Sequence, residues 1–187
     1  MPQSRTINPQ PTGKIFSYPV NVDEVPEQGL DLTISADPPT RQALALADGL
    51  AGIASLAADF HIARQGIAQF NVSGSVRASV TQVCVLSLQP FDTDVVEEVD
   101  VDFAPPAAAA LAAARAGTML GGPGASGRDP PDPIVDGMID VGALAAEFLA
   151  LGLDPYPKKP GVEFVPMTVP EEKGGPFDVL KKLTDPS

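Results

Sequence analysis

Residue types that commonly carry out chemistry are scarce in this sequence, which contains one cysteine, Cys84, and one histidine, His61. A single cysteine excludes an internal disulfide and a zinc site built from several thiolates. A nucleophilic cysteine needs a neighbouring base and a positive environment, whereas the nearest charges downstream of Cys84 are acidic. We therefore predict that Cys84 is a small buried hydrophobic residue, and that His61 is a solvated surface histidine beside Asp59.

Carboxylates are concentrated between positions 92 and 102. Such a density suggests a carboxylate pair or a Ca²⁺ site, but the Asp-x-Asp-Gly pattern of an EF-hand is absent. Spaced along a strand, most of these side chains point to one face, as a solvated row or as a surface for a basic protein. We predict no catalytic residue, cofactor or metal site, and an acidic protein-contact face made of Asp94, Glu98, Asp100 and Asp102.

A tyrosine between two prolines precedes two lysines in the stretch Pro155-Tyr156-Pro157-Lys158-Lys159. Proline makes such a segment rigid and extended, so it displays an aromatic ring beside two cations at low entropic cost. That arrangement suits stacking on a base and contact with phosphate. A packed segment that closes the core, with solvated lysines, fits equally well. The candidate RNA or partner contacts are Tyr156, Lys158, Lys159 and Arg77.

Composition restricts the class of partner. The chain has 187 residues and a formal net charge of −12. An acidic chain is repelled by phosphate backbones unless its few cations are clustered, so a protein partner or a narrow contact with structured RNA is favoured. No run approaches the ~20 apolar residues of a membrane span, and the first residues lack an apolar signal core. We expect no membrane contact, no small-molecule substrate and a cytoplasmic location.

The elements that position these residues are predicted from apolar periodicity. Residues 15–20 read as a short edge strand and residues 30–34 as a second strand. Asp37 is the predicted N-cap of a helix over 38–50. The next strand reaches a turn at Gly66. The predicted buried residues are Ala43, Leu46, Ala47 and Leu50 in the helix, and Leu56, Ala58, Phe60 and Ile62 in the strand that follows it.

The strongest pattern runs from Phe70 to Leu88, where even positions are mainly apolar and odd positions mainly polar. Gly74 is a plausible bend or bulge in so long a strand. A second alternating run follows Pro90 and places its apolar residues opposite the acidic ones. The two runs predict a long antiparallel hairpin over about 67–103. The predicted apolar residues of the second run are Val95, Val99, Val101 and Phe103.

Residues 104–133 are rich in Ala, Gly and Pro, and we interpret them as a disordered insertion with transient helicity at 107–116. The glycine-rich stretch 121–127 lacks the lysine and the strand–helix context of a phosphate loop, so it reads as a linker. Order returns at Ile134, and Asp140 is the predicted cap of a helix over 141–151 that stops at Gly152. Its predicted face is Val141, Leu144, Ala145, Phe148 and Leu151.

These patterns predict an α+β fold with a mostly antiparallel sheet built around the long hairpin, and two helices packed on its apolar face. The predicted organisation is a flexible N-terminus at 1–11, one domain from 12–103 and 134–165 around the insertion, and an extended tail at 166–187.

Several segments together resemble the YceD family, the large ribosomal RNA subunit accumulation proteins, which were long catalogued as a domain of unknown function. The resemblance begins with the strand and turn from Val72 to Phe91 and continues over 95–103. It resumes over 136–147, which begins Asp136-Gly-Met-Ile-Asp140, and in Leu151-Gly-Leu-Asp-Pro-Tyr-Pro157. The stretch 158–161 and the tail around 176–180 are similar to the alphaproteobacterial branch. The resemblance covers most of the chain beyond residue 30.

The resemblance implies a non-catalytic factor that supports accumulation of the large-subunit (23S) ribosomal RNA. Its partner would be a large-subunit precursor, through ribosomal protein, RNA or both. Many relatives carry Cys-x-x-Cys at the strand end, whereas this chain has Cys84-Val-Leu-Ser87 and no later cysteine, so a zinc role is not carried over. The alternative is a generic protein–protein adaptor that uses its proline-rich insert and tail.

Overall fold

Strands form most of the ordered chain, and helices connect or flank them. The computed structural model describes residues 14–66, 68–118 and 129–163. The strands are β1 (Pro19–Asn21), β2 (Leu30–Ser35), β3 (Gly52–Gln65), β4 (Gln69–Val83), β5 (Pro90–Ala104), β6 (Asp132–Pro133) and β7 (Met138–Asp140). The helices are α1 (Pro38–Ala47), α2 (Pro106–Thr118) and α3 (Val141–Leu151), with a 3₁₀ turn at Val22–Glu24. The predicted α+β class is confirmed.

The main sheet has the strand order β2-β3-β4-β5-β6, and β1 pairs with β7 in a small second sheet. Neighbouring strands of the main sheet are antiparallel, except for β5 and β6, which are parallel. The ladder between β4 and β5 runs without a shift from Phe70 opposite Phe103 to Val83 opposite Pro90. The predicted long hairpin is therefore confirmed.

Strand alternation gives the main sheet one apolar and one polar face. The apolar inner face carries the even positions of β4, of which Val72 and Val76 are fully buried, together with Val95 and Val99 of β5. The polar outer face carries the odd positions of β4 and the even positions of β5. One cluster of buried side chains joins the inner face to α1 and α3. The predicted inward positions of β3 are also buried.

Gly74 lies in regular register on both sides, opposite Phe60 and Val99. The register shift is instead in β3, between Ile53 and Ser55. A Cβ atom at Gly74 would overlap the carbonyl oxygen of Asp59. The glycine thus permits close approach of two strands, and of the bend or bulge predicted at this residue, the bulge is absent.

The predicted buried stripe is wrong within α1, where Ala43, Leu46 and Ala47 are exposed, although Leu50, just after the helix, packs against the core as predicted. Leu44 and Ala45 are buried, whereas Leu46 is 85% exposed. The inward face continues through two polar residues, Arg41 and Asp48, at helical spacing on either side. Arg41 Nη1 donates to Ala36 O at 2.7 Å, and burial raises the pKa of Asp48. Alanines and leucines lie all round this helix, so apolar spacing alone did not identify the inward side.

The α3 helix begins at the predicted cap, where Asp140 Oδ1 accepts a hydrogen bond from Ala143 N at 3.1 Å, and it ends at Gly152. Val141, Leu144 and Ala145 are buried as predicted, and Phe148 packs against the core. Leu151, predicted to face the core, is 70% exposed, and Leu149 is fully buried instead. The last turn therefore directs an apolar side chain outward.

The predicted disordered insertion contains ordered chain. Pro106–Thr118 is the helix α2, in which Ala109 is buried, and β6 lies at 132–133. Alanine is the best helix former, and burial of Ala109 adds tertiary support to that propensity. The first strand lies at Pro19–Asn21, later than the predicted 15–20. The glycine-rich stretch, the N-terminus at 1–11 and the tail at 166–187 lie outside the described residues.

Candidate interaction surfaces

The carboxylates of β5 form one continuous surface, which we call the acidic face: Asp92, Asp94, Glu98, Asp100 and Asp102. These side chains lie on the outer face of the sheet, opposite the polar odd positions of β4. All except Asp102, which is half-buried, are exposed. The structure therefore brings together the four predicted protein-contact residues. Glu97 lies on the other side of the strand, beside the end of α3.

Neighbouring side chains of β4 hold part of the acidic face in place. Asn71, which is 9% exposed, donates through Nδ2 to Asp100 Oδ1 at 2.7 Å and to Asp102 Oδ1 at 2.9 Å. Thr81 Oγ1 donates to Asp92 Oδ1 at 2.6 Å. These bonds restrict carboxylates that would otherwise separate by repulsion, and they present a fixed row of negative charge.

Arg77 lies on the outer face of β4, within the acidic surroundings, and pairs with Asp59 and the hydroxyl of Ser75. The hydrogen bond from Thr33, and then that from Arg77, lowers the pKa of Asp59. Arg77 was predicted as a contact residue together with Tyr156, Lys158 and Lys159. The structure does not bring it to them, because the chain around Tyr156 joins β4 at Gln82, on the opposite face.

His61 is a surface histidine on the outer face, as predicted, and its side chain is 43% exposed. Its Nδ1 lies 2.6 Å from Asp31 Oδ1 on the adjacent strand β2. The sequence neighbour Asp59 instead accepts hydrogen bonds from Thr33 and Arg77. Cross-strand partners, which a sequence does not specify, therefore decide this pairing.

The segment after α3 lies against the loop between β4 and β5. Gln82 Nε2 donates to Asp154 O at 3.2 Å, and Val85 N donates to Pro157 O at 2.9 Å. Tyr156 is nevertheless 72% exposed, and Lys158 is also exposed. The backbone of this stretch is thus anchored, while its aromatic ring and one lysine face outward.

Cys84 is fully buried, as predicted, but its sulfur has polar surroundings. The Ser87 hydroxyl, the Lys159 backbone N–H and the N–H groups of Ser87 and Leu86 lower the pKa of the thiol to about 6, against the opposing effect of burial. The sequence reasoning missed this environment, because Lys159 is remote in sequence. The three-residue spacing of Cys84 and Ser87 was the available local signal.

The loop between β4 and β5 carries apolar side chains outward. Leu86 is 36% exposed and Leu88 is 77% exposed, although the alternation predicted both on the buried side. The alternation ends because β4 ends at Val83 and the chain turns, with Leu88 N donating to Cys84 O at 2.9 Å. Leu88 has a φ of 57°, outside the extended region. Val83, Val85 and Tyr156 complete this exposed apolar end of the molecule.

Two of the clefts among the described residues border the chain around β5 and β6. One, of about 280 Å³, is lined in part by Arg64, Phe70 and Pro106. Arg64 is already engaged there, since its Nε and Nη2 donate to Val25 O and Val22 O at 2.8 Å and its guanidinium lies 5.1 Å from the Phe70 ring centroid. The other, of about 410 Å³, lies between β5 and α3. We call it the edge cleft; its lining includes Val101, Asp132, Leu144, Glu147, Phe148 and Leu151.

Comparison with known proteins gave no match to a protein-family model, a curated protein or a solved structure. The resemblance to the YceD family therefore stays a prediction. Within residues 14–66, 68–118 and 129–163, no three His, Cys, Asp or Glu side chains are grouped as ligands of one metal ion. None of the helices in the described part of the chain is both long and apolar enough to cross a bilayer.

Proposed function

We propose that this chain is a non-catalytic, cytoplasmic factor that supports accumulation of large-subunit ribosomal RNA by binding a precursor of the large subunit. The acidic face carries the proposal, because a fixed row of carboxylates complements the basic surfaces of proteins that bind RNA. The resemblance of residues 72–103 and 136–157 to the YceD family supplies the ribosomal setting.

The first partner we propose is a ribosomal protein within the precursor. Phosphate groups are repelled by the carboxylates between Asp92 and Asp102, whereas lysine and arginine side chains are attracted. Any RNA contact is assigned to Tyr156, Lys158 and Lys159, where an exposed ring and an exposed lysine lie beside an anchored backbone. A single base stacked on Tyr156 is compatible with a chain of this net charge.

Affinity capture of ribosomal proteins from a bacterial lysate tests the acidic face. A variant with Asp94, Glu98, Asp100 and Asp102 changed to the corresponding amides is expected to recover much less ribosomal protein than the native chain. The matched control changes four other exposed carboxylates to amides: Asp23, Glu24, Glu27 and Asp136. Equal recovery by the native chain and the acidic-face variant would defeat this role.

Sucrose-gradient sedimentation tests the proposed association with precursors of the large ribosomal subunit. The chain is expected to move with large-subunit precursors at low salt and to dissociate at high salt, because exposed charge pairs are screened. A Tyr156→Ala variant that crosslinks to RNA less than Tyr156→Phe would identify stacking. A chain that stays at the top of the gradient at both salt concentrations would contradict a ribosomal function.

The adaptor alternative predicts that the proline-rich insert and the tail bind the partner. Deletion of residues 105–132 would also remove α2 and part of β6, so the discriminating deletions are confined to 119–128 and 164–187. Precursor binding that survives both deletions favours the ribosomal factor. Loss of all partner binding in either one favours the adaptor.

A further inference from the structure

The edge cleft combines an apolar floor with a negatively charged rim. Leu144, Phe148 and Leu151 of α3 line one side, and Leu151 is 70% exposed. Asp129, Asp132 and Glu147 are exposed residues on its walls. Asp100 and Asp102, held by Asn71, line it from the β5 side. A ligand of this cleft would therefore be both apolar and positively charged.

The end of α3 adds to the negative potential of the cleft. The carbonyl end of a helix carries about half a negative charge, and the last turn of α3 has no basic residue. A Cβ atom at Gly152 would lie 2.6 Å from Glu97 Cγ, which places a carboxylate side chain against this helix end. No group of carboxylates within the described chain is arranged to hold one metal ion. The negative potential is spread along the cleft, and it therefore matches a polypeptide segment that carries several positive side chains.

The adjoining edge of β5 can accept another strand. Ile134 N donates to Ala104 O at 2.8 Å, so the carbonyl of Ala104 points away from β4. Alternate residues of a regular strand direct their N–H and C=O groups to the same side. The N–H and C=O groups of Val96 and Glu98 therefore also point away from β4. Within the described residues, β6 pairs with β5 at Phe103 and Ala104 and no further along this edge.

We infer that the edge cleft is the docking site of an extended, basic segment of a partner protein, which adds as a strand to the edge of β5. Its backbone would pair with Val96 and Glu98, its apolar side chains would lie on Phe148 and Leu151, and its lysines or arginines would face the carboxylates of the rim. The inference deepens the proposed function and rests on it for the basic protein partner.

Two other occupants are disfavoured by charge. A second copy would place the carboxylates of one β5 edge against those of another, and like charges opposed across strands are destabilising. The chain's own residues 164–187 carry four carboxylates and three lysines, so they are not basic. A partner rich in lysine or arginine matches the cleft better than either.

Fluorescence anisotropy with a labelled peptide of about ten residues, long enough to span this edge at ~3.3 Å per residue, tests the inference. The probe alternates lysine and valine. A matched probe alternates lysine and proline, keeping the charge but removing every second N–H group. Binding of the lysine–valine peptide at least about tenfold tighter than that of the proline peptide is expected, since an added strand depends on backbone pairing.

Chain variants then locate the binding. Asp132→Asn with Glu147→Gln, Leu151→Ser, and Val96→Pro should each weaken the lysine–valine peptide, whereas Val96→Ala and the pair Glu24→Gln with Glu27→Gln should not. Val96→Pro removes an N–H group that points away from β4, a position where an edge strand tolerates proline. If circular dichroism shows that this variant is unfolded, Leu151→Ser and the rim variant decide.

Several outcomes would overturn the inference. Equal binding of both peptides, or loss of binding only in a variant with Asp94→Asn and Glu98→Gln, which lie outside the cleft lining, would assign the contact to charge alone and leave the proposed function intact. Peptide binding that appears only after residues 164–187 are removed would show that the tail occupies the edge cleft. A concentration-dependent dimer that is lost in Val96→Pro would show that a second copy of the chain occupies it. Peptide binding in the cleft without capture of ribosomal proteins would defeat the proposed function and keep the docking site.

Discussion

One carboxylate, that of Asp140, links the start of the described chain to α3. Its Oδ1 accepts hydrogen bonds from Tyr18 N at 2.8 Å and Ala143 N at 3.1 Å. Its Oδ2 accepts from the Ser17 hydroxyl at 2.9 Å and lies 3.4 Å from Lys14 Nζ. Burial opposes ionisation, but these contacts outweigh it and lower the pKa of Asp140. The residue therefore acts as a helix cap and as a tertiary contact.

Replacement of Asp140 by alanine is expected to lower the free energy of unfolding by about 2–3 kcal/mol, since it removes a cap and two further charged hydrogen bonds. Asp37→Ala is the comparison, because Asp37 caps α1 through Thr40 N and is exposed. That variant should lose only about 1 kcal/mol. Urea unfolding followed by circular dichroism measures both. Equal losses would show that the contacts of Asp140 with residues 14–18 contribute little.

Cys84 predicts a pH dependence of stability. Its pKa, lowered to about 6 mainly by the Ser87 hydroxyl, lies below that of the thiol in the unfolded chain. The folded state therefore favours the thiolate, and the resulting stabilisation is present above the unfolded pKa and lost as pH falls through about 6. Between pH 6 and 8, the free energy of unfolding should rise with pH in the native chain.

Cys84→Ser is the control for this pH dependence, because serine keeps an acceptor that does not ionise in this range. The free energy of unfolding of the native chain, minus that of this variant, should increase as pH rises. The other ionisable groups are common to both proteins and cancel from the comparison. Parallel stability profiles would show that the thiol stays protonated in the folded state.

At the scale of elements, β3 and β4 approach each other closely at Gly74. The ladder there keeps its register, so a Cβ atom directed at Asp59 O has no room unless the strands separate. The backbone at Gly74 also has a φ of 155°, at the margin of the region that favours glycine. The packing of β3 against β4, and with it the position of Asp59 on the outer face, therefore depends on one glycine of β4.

Gly74→Ala is expected to destabilise the fold by about 3 kcal/mol or more, because backbone rather than a flexible side chain must move. Gly52→Ala is a matched control in β3, where the nearest atom to the added methyl group would be Thr81 Oγ1 at 3.8 Å. That change should stay within about 0.5 kcal/mol. Thermal unfolding of the two variants separates them, and a stable Gly74→Ala protein would contradict the close approach.

At the scale of the whole molecule, negative charge opposes folding. The net charge is −12, and the carboxylates of the acidic face share one strand. The ion pairs Arg77–Asp59 and Lys14–Asp140, among the described residues, offset part of this repulsion. Screening by salt weakens attraction and repulsion alike, but repulsion dominates in a chain with this charge.

The melting temperature is therefore expected to rise as sodium chloride is added to a low-salt buffer. Asp94→Asn with Glu98→Gln should raise stability at low salt by roughly 0.2–1 kcal/mol and reduce its dependence on salt. These two residues are chosen because Asn71 bonds to Asp100 and Asp102 instead. Differential scanning calorimetry at several salt concentrations makes the measurement. A melting temperature that falls with salt would show that the ion pairs dominate.

Much of the fold follows from residues near one another in sequence. The two-residue repeat of Val72, Val76 and Val80 specified β4 and its buried side, and the caps Asp37 and Asp140 specified where two helices begin. Strand alternation and capping depend on neighbouring residues, so a sequence displays them directly. The apolar loop at Leu86 and Leu88 was mispredicted because a turn interrupts the repeat without a glycine or proline inside it.

Sequence alone determined the acidic row, the long hairpin and the class of fold, since each depends on the order of polar and apolar residues along one or two strands. Tertiary structure decided the inward side of α1, the approach of the Lys159 N–H to Cys84, the partner of His61 and the cleft between β5 and α3. These features join residues that are distant in the chain, and their geometry is set by packing between elements.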